Sequence, residues 1–203
     1  MSQVVFSRVF SFLVMSCFSL SVIAATDSSY TYDDSLENAV IKTADGLSLS
    51  GTTIKKRFFF NVYRLSHFMV KPKGDFPTKD SLITFILNAN TQQRIELEFL
   101  RDVSREQIEE ALMQGIEQNN VDADLNTIKK DIERLSSGFQ DEVKKHSTLT
   151  ISRLPSDKLS VFFNNNLVVE TENKALANAL WSIWFGKDPI VDTEDLIQNI
   201  LAN

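Results

Sequence analysis

Lys55, Arg57, Asn61 and Tyr63 recur at odd positions along the most β-rich run of the chain, Lys55 to Val70, together with Phe59, Leu65 and His67. In a continuous strand, side chains two apart share a face. These residues would then project to one side, while Phe58, Phe60, Val62 and Phe68 project to the other with Arg64 and Ser66. A face of bulky hydrocarbon carrying a few polar groups has the chemistry of a ligand cleft. The same residues admit a plainer reading, with Tyr63 and Asn61 as hydrogen-bonded core polars and Lys55 and Arg57 as solvated surface. Sequence alone leaves both open.

Other chemistry lacks support. His67 and His146 are the only histidines, they do not stand at a ligand spacing, and no HExxH occurs, so no metal site is expected. No GxGxxG or GxxxxGK is present, so no cofactor is implied, and no GxSxG elbow marks a serine nucleophile. Glu109-Glu110 and the pair Asp122 and Asp124 sit in helical, lysine-rich surroundings and read as surface charge. With 21 basic and 27 acidic residues the net charge is −6, which argues against a nucleic-acid partner.

The elements that must position these residues follow from periodicity. Ala39-Val40-Ile41 and Leu47 to Ser50 read as short strands around a turn at Asp45-Gly46, and Ser81 to Leu87 as another strand. From Gln92 to Arg101 the chain alternates, Ile95, Leu97 and Phe99 against Arg94, Glu96 and Glu98, as in a sheet with one wet face. Ser104 and Gln107 stand at capping-box spacing before a helix carrying Ile108, Ala111, Leu112 and Ile116. A second helix from about Asp124 carries Leu125, Ile128, Ile132 and Leu135. Strands return at Ser147–Leu154 and Lys158–Glu170, the latter bent at Asn164-Asn165-Asn166. Thr171 or Asn173 caps a helix ended by Gly186, and a short helix spans Asp192 to Leu201. This order is α+β, one antiparallel sheet with helices on one face.

Ahead of this domain, placed at residues 39–203, lies a different kind of segment. Arg8 precedes an apolar run from Val9 to Ile23, about five residues short of a bilayer span, and Ala24 and Ala25 supply small residues for cleavage. Residues 1–24 therefore read as a secretory signal peptide, 25–38 as a flexible lead-in, and the expected location is periplasmic or secreted. Cleavage would remove Cys17, the only cysteine, and with it any thiol chemistry.

Two segments resemble the chalcone isomerase-like family. Leu49 to Tyr63, LSGTTIKKRFFFNVY, is similar to a strand pair in which a glycine turn leads to a basic residue and a KFFFKVY-type strand. Ala179 to Pro189, ALWSIWFGKDP, is similar to that family's AL-IWLG-P helix end. The resemblance implies an open-faced β-sandwich, a large antiparallel sheet against a helical layer with a ligand cleft between them. It also implies, for enzymes of the family, closure of a flavanone ring with an arginine and Thr and Tyr hydroxyls stabilising the enolate. Here the arginine falls on Lys55, the threonine on Tyr63 and the tyrosine on Val103 or Ser104, three departures that argue against that reaction. Non-enzymatic relatives resemble fatty-acid binders. The expectation is thus an exported, non-catalytic protein that binds a small apolar or amphipathic ligand. Lys55 or Arg57 would pair with its carboxylate and Tyr63 would donate a hydrogen bond. An isomerase of another enone or phenolic substrate and an envelope protein-interaction module are the alternatives.

Overall fold

The computed structural model describes residues 43 and 45–201, apart from 89, 121–124, 140 and 141. The leader and the strand expected at Ala39–Ile41 lie outside the described residues. In chain order the elements are β1 (Ser48–Arg57), β2 (Phe60–Met69), α1 (Lys79–Asn88), β3 (Gln93–Phe99), β4 (Val103–Ser104), α2 (Arg105–Asn119), α3 (Asn126–Ser137), β5 (Glu142–Val143), β6 (Thr148–Arg153), β7 (Leu159–Phe163), β8 (Asn166–Thr171), α4 (Lys174–Phe185) and α5 (Thr193–Leu201). One six-stranded sheet runs β1-β2-β3-β6-β7-β8, and every neighbouring pair is antiparallel. The short β4 and β5 pair separately. This is the α+β sheet-and-helix layer expected.

The alternation on β3 explains the layering. Ile95, Leu97 and Phe99 are buried toward the helices. Arg94 and Glu98 face outward, where Arg64 pairs with Glu98 and Arg94 with Glu96. Against the apolar face lies α4, with nine of its twelve residues buried. Asn173 caps it by accepting the Leu176 amide at 3.1 Å. Ser104 and Gln107 form the capping box that starts α2. The β7–β8 turn places Asn164 at φ 46° and Asn165 at φ 64°, values asparagine tolerates and a two-residue hairpin needs.

Four details differ from the sequence expectations. Lys55 to Val70 is not one strand: the chain folds back at Phe58-Phe59, so β1 and β2 are hairpin partners. Nothing in the composition announces this turn, because the usual glycine or asparagine is missing. Ser81–Leu87 is helical rather than extended. The apolar run is too continuous for periodicity to decide, and the informative residue was Thr78. Its hydroxyl accepts the Ser81 amide at 3.1 Å while its own amide donates to the Ser81 hydroxyl at 3.3 Å, a reciprocal cap. Gly51 lies within β1, not in a turn, at a register irregularity. A Cβ there would stand 2.0 Å from the Asp195 carbonyl oxygen of α5, so only glycine admits the helix. Gly186 ends α4 with φ −76°, without a left-handed cap. Its missing Cβ leaves room for Asn119 Oδ1, which a methyl would approach to 2.3 Å.

A buried polar chain ties the sheet to α4. Gln93 Nε2 donates to the Ile86 carbonyl at 2.8 Å, which turns its Oε1 toward the Trp181 indole N–H at 2.6 Å and His67 Nε2 at 3.3 Å. An acceptor at that distance assigns the imidazole proton to Nε2. Nδ1 is then the acceptor for Ser50 Oγ at 2.5 Å. Burial opposes a second proton and pulls the His67 pKa down to about 4 from 6.5, although the Gln93 contact favours the charged form. Between those values the unfolded chain binds a proton that the folded chain refuses. Stability is therefore complete above pH 6.5 and is lost as pH falls toward 4. Urea unfolding should show a loss of about 3 kcal/mol from this group between neutral pH and pH 4. In His67→Gln that slope should flatten, whatever its absolute stability; an unchanged slope would assign the pH dependence elsewhere.

Candidate functional site

The β1–β2 hairpin forms one wall of a cavity of about 140 Å³ between the sheet and α2 and α4. Lys55 stands opposite Tyr63, and Lys55 and Arg57, two apart on β1, both line the cavity with Tyr63, whereas Lys56 pairs with Asn61 and does not. Between Lys55 and Lys56 the register slips, leaving Val62 as an extra residue on β2. That bulge breaks the parity between Tyr63 and Asn61. Val62 turns with Tyr63 toward the cavity, while Asn61 is exposed and absent from its lining. The structure thus brings together Lys55, Arg57 and Tyr63, but not Asn61.

Most of the lining is hydrocarbon, with Leu97 and Phe99 from β3 facing Ile108 and Leu112 from α2 and Ile183 from α4. The polar groups are few: Lys55, Arg57, Arg101, Gln107, Tyr63 and Trp184, with no carboxylate among them. Arg101 escaped the sequence reading. It stands two residues beyond Phe99 on the parity of Ile95, Leu97 and Phe99, and that spacing was the available signal. Gln107 was read only as a capping residue, a role it keeps by accepting the Ser104 amide at 3.1 Å.

Lys55 Nζ donates to the Ile190 carbonyl at 2.6 Å, in the connection between α4 and α5. Partial burial lowers its pKa, and the neighbouring Arg57 lowers it further. Among the described residues no carboxylate pairs with this lysine, in a place that disfavours its charge. Tyr63 is buried, and desolvation drives its hydroxyl pKa well up, against a smaller opposing effect of the Trp184 hydrogen bond. It stays protonated at any ordinary pH. The oxygen accepts the Trp184 indole N–H at 3.2 Å, which leaves its own proton to donate. Tyr63→Phe should cost about 1–3 kcal/mol by orphaning the buried indole N–H. Denaturant unfolding measures this, and a loss below a few tenths of a kcal/mol would mean that the indole finds another acceptor.

Among the described residues no cluster of three or more His, Cys, Asp or Glu could hold a metal ion. No described helix is long and apolar enough to cross a membrane. The cavity can therefore be characterised as a small apolar chamber with a cationic mouth and one neutral hydroxyl donor.

Residues 31–202 match the family model described as chalcone isomerase-like, and the chain belongs to that family. A solved fatty-acid binding protein of Arabidopsis thaliana is similar in fold, with a TM-score of 0.63 and 14% identity over 79% of this chain and 89% of that one. No curated protein sequence matches the chain. Of the positions on which the resemblance placed the family's arginine, threonine and tyrosine, Lys55, Tyr63 and Val103 all line the cavity, whereas Ser104 caps α2.

Proposed function

We propose that this protein is a non-catalytic binder of a small amphipathic carboxylate, held with its apolar part in the cavity and its anion at the mouth. The observation that carries this reading is the charge of the lining. Lys55, Arg57 and Arg101 meet at a hydrocarbon chamber without any carboxylate to neutralise them. A ligand anion would restore to Lys55 the charge partner that burial makes valuable, and Tyr63 would donate the second hydrogen bond. The fold it shares with a fatty-acid binding protein supports the same class of ligand.

One residue of the lining weighs against catalysis. Val103 supplies only hydrocarbon where the family resemblance expects a phenol. Size narrows the ligand. A dry cavity of about 150 Å³ admits a molecule of about six heavy atoms, so the 140 Å³ chamber takes a short acyl chain or a single ring without rearrangement. The rest of a longer chain must emerge through the mouth. The reading also retains export of the domain to the periplasm or beyond, on the strength of the apolar run from Val9 to Ile23.

Calorimetry with straight-chain carboxylates of increasing length tests the proposal. Affinity should rise with length until the chamber is filled, about six carbons, and then level off. Lys55→Met and Arg101→Met should each weaken binding by about tenfold or more, with little effect on the corresponding alcohols. No binding by any carboxylate, or equal binding of acids and alcohols, would defeat it. Turnover of a chalcone or another enone would instead make the protein an enzyme.

A further inference from the structure

Phe58, Phe59 and Phe60 form the tip of the β1–β2 hairpin and are 84%, 98% and 62% exposed. Single exposed apolar residues need no explanation, but three consecutive phenylalanines on a protruding turn do. Phe58 also takes φ 55°, the left-handed region that aromatic side chains rarely occupy and that glycine or asparagine would occupy without strain. Nothing in the core repays that choice, since the side chain lies outside it.

We propose that this tip docks into the headgroup layer of a bilayer containing anionic phospholipid. Charge around the tip fits that partner. From Gly46 to Gly74 there is no acidic residue, in a chain whose net charge is −6. Lys56 and Arg57 adjoin the tip, and Arg101 lies over the Phe60 ring at 5.7 Å. Lys145 approaches the same end of the sheet, where the next residue, His146, donates its amide to the Phe99 carbonyl. Three described acids there are engaged: Asp102 with Lys144 and the Lys145 amide, Glu142 with Lys144, and Glu98 with Arg64 and His146. Basic residues around an apolar wedge are the means by which a peripheral segment holds an anionic interface.

Area and charge both disfavour a second copy of the chain. Three phenylalanines offer at most about 750 Å² between them, below the ~800 Å² per partner of a stable protein interface. The like-charged lysines and arginines beside them would also face one another. The docking does not depend on the cavity's contents. It would, however, set the mouth bounded by Arg57 and Arg101 at headgroup level, a consequence that rests on the carboxylate reading above.

Phe59→Trp in the full chain places an indole at the tip. Its local signal is read by subtracting the emission of the parent protein, whose Trp181 and Trp184 are buried. With phosphatidylcholine–phosphatidylglycerol vesicles and no added carboxylate, the new emission should move to the blue. Bromines near the headgroup end of the acyl chains should quench it more than bromines deep in the bilayer. Phe58→Ser and Phe60→Ser in that background should each lower the partition coefficient measured by this signal by about tenfold. Lys56→Gln and Lys145→Gln should each lower it by about fivefold at low salt. An indole that stays in water at every lipid concentration would overturn the proposal, even if the protein sediments with vesicles through another segment. A blue shift that follows protein concentration without vesicles would overturn it in favour of self-association.

Discussion

Two buried indole N–H groups constrain the whole arrangement. Trp181 and Trp184 lie on a helix that is buried on nearly all sides, and neither N–H can reach water. Each must find an acceptor on the sheet, and leaving one unpaired would cost as much as a core methyl group or two. Gln93 on β3 serves Trp181 and Tyr63 on β2 serves Trp184, so two adjacent strands fix both the height and the rotation of α4. Once α4 is fixed, the remaining gap between sheet and helices lies beside Tyr63. The cavity is the space this hydrogen-bonding solution leaves.

On the carboxylate-binding proposal, the same constraint sets how a ligand would be held. Tyr63 serves as a structural acceptor first, and only its remaining proton is available to a ligand. Lys55 holds the Ile190 carbonyl, so an arriving anion must compete with a backbone oxygen. Both groups therefore suit reversible recognition, in which modest contacts are exchanged for better ones. They suit poorly a reaction that needs a donor aimed from the outset at a developing charge.

Much of this was legible in the sequence. The alternation of β3, the capping box of α2, the apolar stripe of α3 and the bend at Asn164-Asn165 each follow a local rule and appear as expected. What remained hidden lay where local rules compete or fail. The run from Ser81 to Leu87 has the composition of a strand, and only Thr78 and the burial of Leu82 and Ile86 reveal the helix. The turn at Phe58-Phe59 breaks the residue preferences for turns altogether. The bulge at Val62 then removed Asn61 from the face that parity assigned to it. Lys55, Arg57 and Tyr63 were found together for a partly mistaken reason. They share a face across a hairpin, where a continuous strand had been expected.

Thr53 on the first strand donates to Asp195 on α5 at 2.9 Å, across 142 residues of chain. Gly51, which has no side chain, leaves the α5 backbone room for that approach. This gives the domain a folding order. The hairpin that carries Lys55 and Tyr63 is local and can form early, whereas Trp184, Ile190 and the helix over β1 come from the other end of the sequence and must arrive late. Until they do, the cationic face of β1 has no cavity to guard. The pocket is therefore completed only when the residues up to Ile190 are in place over β1.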